Sequence, residues 1–259
     1  MAQKTVQVHI PYPLLIERLD YVISEGINPE VYLDGSFLED ADPMVLGGIR
    51  QRFKEKGLTI TMHGPYEDVH PGSPDEDKRL FAEKRYTEAL KAAAYLKPRT
   101  LVLHAGYSDR VFKGDKELWL NQSLKTWPPF VRIAERLGVI IAAENVFEKT
   151  PDTLKLLVEE IGSPHFRLCI DAGHLNAFVR ADLKDWIKEI GPLIAEVHLH
   201  DNNGRNDEHL PLGEGSIDFQ LFFRLLSEYA KDPVFTIEPH GEEEMRRGIA
   251  AVRRYLERT

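Results

Sequence analysis

Six short apolar runs in this 259-residue chain each end on a side chain able to bind a divalent cation. They are Ile60-Thr61-Met62-His63, Leu101-Val102-Leu103-His104, Ile141-Ala142-Ala143-Glu144, Leu168-Cys169-Ile170-Asp171, Ala195-Glu196-Val197-His198 and Phe235-Thr236-Ile237-Glu238. One histidine or glutamate at a strand end is an ordinary rim residue. Six in order, spaced by helix-length segments, are what parallel strands produce when they aim side chains at one point. Two further segments add donors of the same kind. One is Asp171-Ala172-Gly173-His174, and the other is Asp207-Glu208-His209-Leu210-Pro211-Leu212-Gly213-Glu214-Gly215. Five of the ten histidines (His63, His104, His174, His198 and His209) thereby fall on one expected rim. Imidazole and carboxylate together suit zinc, manganese and related divalent ions, with no thiolate to select among them. His200 shares the strand face of His198 and is the alternative ligand. Because the apolar run closes on His198, His200 is expected to support the site instead.

A rim of this kind needs strands to build it and helices to space them. Short β-branched runs alternate with longer amphipathic ones, the βαβα pattern of a parallel sheet. Strands are predicted at Val6–Ile10, Glu30–Leu33, Thr59–His63, Thr100–His104, Val139–Glu144, Arg167–Asp171, Ile194–His198 and Val234–Glu238. Helices are predicted near 14–25, 43–56, 74–96, 116–137, 151–161, 183–190, 219–230 and 242–257. Ser73-Pro74-Asp75-Glu76 reads as a capping box, with Ser73 as the cap and Pro74 at the first helical position. Asp42-Pro43 and Thr150-Pro151 repeat the cap-then-proline order. In the last helix Met245, Ile249, Val252 and Leu256 mark one buried face. The expectation is one α/β domain over residues 1–259, a single (β/α)8 TIM barrel with its active site at the C-terminal strand ends. An open doubly wound sheet would carry a glycine-rich phosphate turn after its first strand. The turn here, Ile10-Pro11-Tyr12-Pro13, has no glycine.

Composition sets the outer bounds. The chain is 42% apolar and 29% charged, ordinary for a globular enzyme. No apolar stretch is long enough to span a bilayer. Met1-Ala2-Gln3-Lys4-Thr5 lacks the apolar core of a signal peptide, so a cytoplasmic location without membrane association is expected. The lone Cys169 cannot form an intramolecular disulfide, and its apolar strand predicts a packed thiol. A net charge of −9 gives no global pull toward nucleic acid. The sequence carries no signal for an oligomeric state.

The runs His63-Gly64-Pro65, Leu103-His104-Ala105-Gly106, Glu144-Asn145, Cys169-Ile170-Asp171-Ala172-Gly173-His174, His198-Leu199-His200-Asp201 and Leu212-Gly213-Glu214-Gly215 carry a resemblance. The chain resembles the xylose-isomerase-like TIM-barrel superfamily, across the third to the eighth strand. That superfamily includes divalent-metal sugar isomerases and epimerases, and also endonuclease IV, a DNA-repair phosphodiesterase with three zinc ions.

The epimerase resemblance implies one metal held by Glu144, Asp171, His198 and Glu238. It implies a small polyhydroxy or phosphorylated substrate whose carbon-bound proton is exchanged between Glu144 and Glu238 as general base and acid. His174 would orient a substrate oxygen. Arg205 would meet a hydroxyl or phosphate, although it stands about one residue from the position the epimerases use. The nuclease resemblance implies two or three ions. His63, His104 and Glu144 would hold one. Glu144, Asp171, His198 and Glu238 would hold a second, and His174, Asp207 and His209 a third. Tyr66 matches a DNA-probing tyrosine.

The departures from the nuclease are specific. It carries Asp-Thr-Cys-His where this chain has Asp171-Ala172-Gly173-His174, and an Asn and a Lys where this chain has His200 and Asn203. The segment after the second strand, Asp34 to Asp42, holds four acids and no base, which disfavours a DNA backbone. The isomerase or epimerase reading therefore ranks first, abasic-site phosphodiester cleavage second and a non-catalytic metal-binding protein third. Gly213 and Gly215 are read as relieving backbone crowding before the helix at Phe219, with a phosphate cradle as the alternative.

Overall fold

The structure is a computed structural model and describes residues 5–258. Eight strands pair in chain order, all parallel, and close into a barrel. They are β1 (Val6–Pro11), β2 (Asn28–Tyr32), β3 (Thr61–His63), β4 (Thr100–His104), β5 (Ile140–Glu144), β6 (Phe166–Asp171), β7 (Ile194–Leu199) and β8 (Val234–Ile237). The closing pair is β1 with β8, in register Gln7 to Thr236.

The helices are α1 (Tyr12–Glu17), α2 (Leu19–Ser24), α3 (Gly35–Asp40), α4 (Pro43–Glu55), α5 (Glu76–Leu96), α6 (Asp109–Phe112), α7 (Lys116–Leu137), α8 (Asp152–Ile161), α9 (Ala172–His174), α10 (Leu183–Ile190), α11 (Phe219–Tyr229) and α12 (Glu242–Leu256). A π-helical turn, Leu175–Val179, follows α9. None is long and apolar enough to cross a membrane among the described residues.

Alternation along each strand divides the barrel wall. Leu101, Leu103, Ile141, Leu168, Ile170, Val197, Leu199 and Phe235 are buried in the large apolar core that also takes Trp127, Phe130, Trp186 and Phe223 from the helices. The opposite face holds a small second cluster, Val102, Ala142 and Cys169. Burial pushes the Cys169 thiol up, so it is a packed neutral group.

Several expectations need correction. The first predicted helix is two short ones broken at Arg18, whose ψ of 16° interrupts the helical ladder, while Pro11 and Pro13 sit at the start of α1 where proline is tolerated. Ser73 does not cap α5. Asp75 does, accepting from the Asp77 N–H, while the Ser73 hydroxyl accepts from the Asp75 N–H one turn earlier. Pro151 occupies the cap position of α8 and supplies no side-chain cap. The acidic segment after β2 is not a bare loop. Asp34 caps α3 by accepting from Ser36 and Phe37, Asp42 caps α4, and Glu39 pairs with Lys84 and Arg85. Its acids are largely committed to building helices.

Candidate metal centre

The side chains named from the sequence as ligands meet on the C-terminal rim. Glu144, at the end of β5, lies at their middle. Its Oε2 is 3.2 Å from Nε2 of both His63 and His104, and its Oε1 is 3.1 Å from Nδ1 of His198. His198 Nδ1 is also 3.0 Å from Glu238 Oε1. From Glu238 the chain of contacts runs to His209 (3.3 Å), Asp207 (3.2 Å), His174 (3.4 Å) and Asp171 (3.6 Å). Three of these groups can each converge on a cation: His63 with His104 and Glu144, Asp171 with His174 and His200, and His200 with His209 and Glu238.

Whether this set suits a metal can be tested on its tautomers. His63 Nδ1 donates to the Gly64 carbonyl at 2.7 Å, and His174 Nδ1 donates to the Asn145 carbonyl at 2.9 Å. A carbonyl only accepts, so each neutral ring keeps a lone pair on Nε2. Those lone pairs face the carboxylates of Glu144 and Asp207. His198 Nδ1, His200 Nδ1 and Asp207 Oδ1 are buried and have no hydrogen-bond partner among the described residues. Acceptors facing acceptors in a buried site need a cation between them, either a proton or a metal. The donor set therefore fits a divalent ion.

The protein's own electrostatics agree. Burial disfavours charge on the His198 and His174 rings, but the surrounding carboxylates outweigh it and raise both well above the ordinary histidine value. His209 is raised to about 9, chiefly by Asp207 and Glu238 against the opposing effect of burial. Burial alone would raise Glu144 and Glu238, yet the imidazoles hold both well below the carboxylate range. Protons on imidazole here stand where metal charge would.

Two loops position the outer candidate ligands. The Asn145 amide clamps β6, accepting from the Asp171 N–H at 2.8 Å and donating to the Asp171 carbonyl at 3.1 Å. Asp201, fully buried, accepts from the N–H groups of Gly213, Gly215 and Ile217, which folds the loop carrying Asp207 and His209 back onto β7. The amides of Gly213 and Gly215 are thus taken, and a phosphate cradle is ruled out at that turn. A Cβ at Gly215 would lie 2.3 Å from Asp201 Oδ1, so the absence of a side chain is the requirement.

Two of the departures from the nuclease pattern, Gly173 and His200, are one structural change. A Cβ at Gly173 would lie 1.9 Å from Cε1 of His200. Gly173 vacates the space that the His200 ring fills. There the ring stacks flat on His209, 3.9 Å between centroids, with Nε2 at 3.1 Å from Asp171 Oδ2.

Above the candidate ligands lies a cavity of about 630 Å³, lined by Tyr66, His104, His174, Asp207, His209 and Glu238 among others. Tyr66 stacks on the His104 ring at 5.1 Å. His200 is buried beneath the cavity and does not line it. Arg205 is exposed on the β7 loop and also lies outside the lining. The sequence reading missed His9, which lines the cavity, and Glu30, fully buried on β2. The available signal was an acid embedded in the otherwise apolar Glu30-Val31-Tyr32-Leu33.

Comparison with known proteins places this geometry. An uncharacterised protein of Methanocaldococcus jannaschii is 30% identical over 236 residues, covering 88% of this chain and 80% of the relative. A crystal structure of a D-tagatose 3-epimerase-like protein superposes with a TM-score of 0.82 at 25% identity, covering 98% of this chain and 97% of that one. A Thermus thermophilus protein soaked with ZnCl2 gives a TM-score of 0.81 at 25% identity, with 98% of both chains covered. Residues 29–257 match the family pattern described as xylose isomerase-like TIM barrel, and the chain belongs to that family.

Proposed function

We propose that this protein is a divalent-metal-dependent sugar isomerase or epimerase in which Glu144 and Glu238 exchange one carbon-bound proton. The observation that carries the reading is the convergence of the two carboxylates. From β5 and from the end of β8, each brings one Oε1 to the same buried nitrogen, His198 Nδ1, at 3.1 and 3.0 Å. The likeness to a D-tagatose 3-epimerase-like protein supports a small polyhydroxy substrate, and the zinc-soaked neighbour supports a metal.

Glu144, Asp171, His198 and Glu238 would hold the ion. When bound, it would polarise adjacent oxygens of an open-chain sugar and so acidify the hydrogen on the carbon between them. The imidazoles hold both carboxyls low, so the one that acts as base is ionised and can take that proton. To invert the centre the other must enter the step carrying a proton, which it gives to the opposite face, so the pair holds one proton before and after the exchange. The His174 Nε2 lone pair faces the cavity side of Asp207 and can orient a substrate hydroxyl. Tyr66, stacked on His104, lines the cavity where the substrate would sit.

The nine-residue cluster also fits phosphodiester hydrolysis, the second reading, because Glu144 presents one oxygen to His63 and His104 and the other to His198. One experiment separates the two. Metal-replete protein incubated with candidate ketoses and aldoses in deuterated water should place deuterium at the exchanged carbon. Salt-sensitive cutting of abasic duplex DNA, with no deuterium in any sugar, would reverse the ranking.

A further inference from the structure

A carboxylate inside a barrel wall is costly unless its oxygens are met. Glu30 is such a group, at 0% exposure. Its two oxygens divide between two imidazoles. Oε2 lies 2.7 Å from Nδ1 of His9, the neighbouring position on β1, and Oε1 lies 3.1 Å from Nε2 of His198, across the barrel on β7. We infer that Glu30 is the positioning residue of the metal centre: it fixes the tautomer and orientation of His198, and His9 in turn fixes Glu30.

Imidazole can carry its proton on either nitrogen, and only one choice leaves His198 able to bind metal between Glu144 and Glu238. Left to itself, the ring would donate its Nδ1–H to those two carboxylates, which stand 3.1 and 3.0 Å away. That would close the site. An ionised acceptor on the other side draws the proton to Nε2 and leaves the Nδ1 lone pair aimed at the ligands. For His63 and His174 the same task falls to backbone carbonyls. His198 sits too deep for a loop carbonyl to reach it, and β2 supplies a carboxylate in its place.

The support extends outward. His9 stacks on Tyr32, two residues along β2 from Glu30, at 5.3 Å between centroids, and meets His63 edge-on at 5.6 Å. His9 lines the cavity, so the order His9, Glu30, His198 is a continuous path from the cavity wall to His198, with Tyr32 stacked on His9. A packing role alone would be satisfied by any residue of the right volume. A positioning role needs an acceptor, and a charged one does it best.

The inference rests on His198 being a ligand, and its test is chosen to stand apart from turnover. Histidine labelled with 15N reports the tautomer directly, and in the metal-free wild-type protein, at a pH high enough to leave the ring neutral, His198 should carry its single proton on Nε2. Zinc affinity, measured by competition with a chromophoric chelator, should fall about 10–100-fold in Glu30→Gln, which keeps an acceptor without the charge. Glu30→Leu, which removes the acceptor, should lose more, with His198 shifting toward the Nδ1–H form. Zinc binding within twofold of wild type in both variants would overturn the inference. So would an Nδ1–H His198 in the wild type, a measurement that needs no variant to fold. A wild-type chain with the Nε2–H tautomer but no zinc binding would sink the metal centre itself and leave the Glu30 hold on His198 standing.

Discussion

On β7, Val197 and Leu199 turn outward into the helical layer, while Glu196, His198 and His200 turn into the barrel; all five are at most 1% exposed. Burial is the same on the two faces and chemistry is opposite. The outer face joins an apolar core whose worth is the area removed from water. The inner face keeps acids and imidazoles dry, which costs stability unless they are paired or serve a site. The same holds on β5, with Ile141 and Ala143 outward and Glu144 inward, and on β6, with Ile170 outward and Asp171 inward. These three strands thus carry apolar packing on one side and the candidate ligands at the end of the other, so substitutions on the two sides should fail in different ways.

The largest effect is expected on the inner face. Glu144→Gln and Glu238→Gln should each lose about 10²–10⁴-fold in proton exchange, since an amide is no base, and zinc content should fall with it. Thermal denaturation of the metal-free variants should show little loss. Full exchange and full metal content in both would break the comparison at its centre.

The outer face should do the reverse. Trp127 is fully buried on α7, stacked on Tyr86 at 4.7 Å and against Phe166 at 5.1 Å. Trp127→Ala should cost about 3–5 kcal/mol by urea denaturation. Zinc affinity of the folded protein should stay unchanged, and a tenfold loss would show that the two faces are not separable.

A third test uses pH. Glu148, buried in the loop after β5, accepts from the Val146 N–H at 2.7 Å, yet burial raises its carboxyl from 4.5 to about 7. The folded state therefore binds this proton more tightly than the unfolded chain. The contribution is complete below pH about 4.5 and is lost as pH rises through about 7, a change on the order of 3 kcal/mol. Urea denaturation at steps across that window should show Glu148→Gln gaining on wild type as pH rises. A constant difference between the two proteins would mean that Glu148 does not titrate there.

The smallest effect should come from the seam between the faces. Gly173→Ala forces the His200 ring to move and should cost about 1–3 kcal/mol. Adding His200→Asn should recover part of that loss, because the clash and its partner are removed together. Strict additivity of the two substitutions would show that Gly173 and His200 are independent.

The barrel was legible in the sequence because its signal is repetitive. Eight short apolar runs, alternating with amphipathic segments, leave one parallel arrangement that aims six ligand-type residues at one end. The strand ends that bring the candidate ligands together were legible for the same reason, since each of the six closes an apolar run. Helix starts were less so: Ser73 and Asp75 are both good caps two residues apart, and only the backbone path decides between them. The sequence could not show that Glu30 and His198, 168 residues apart, come within 3.1 Å of each other inside the barrel. It could not show that Gly173 is small because His200 lies against it. Local pattern determined which strands exist and which way each residue faces, because alternation is a property of the strand alone. Which inward side chains touch, and on which nitrogen a histidine carries its proton, was decided by closure of the barrel, because those contacts run across it between strands distant in the chain.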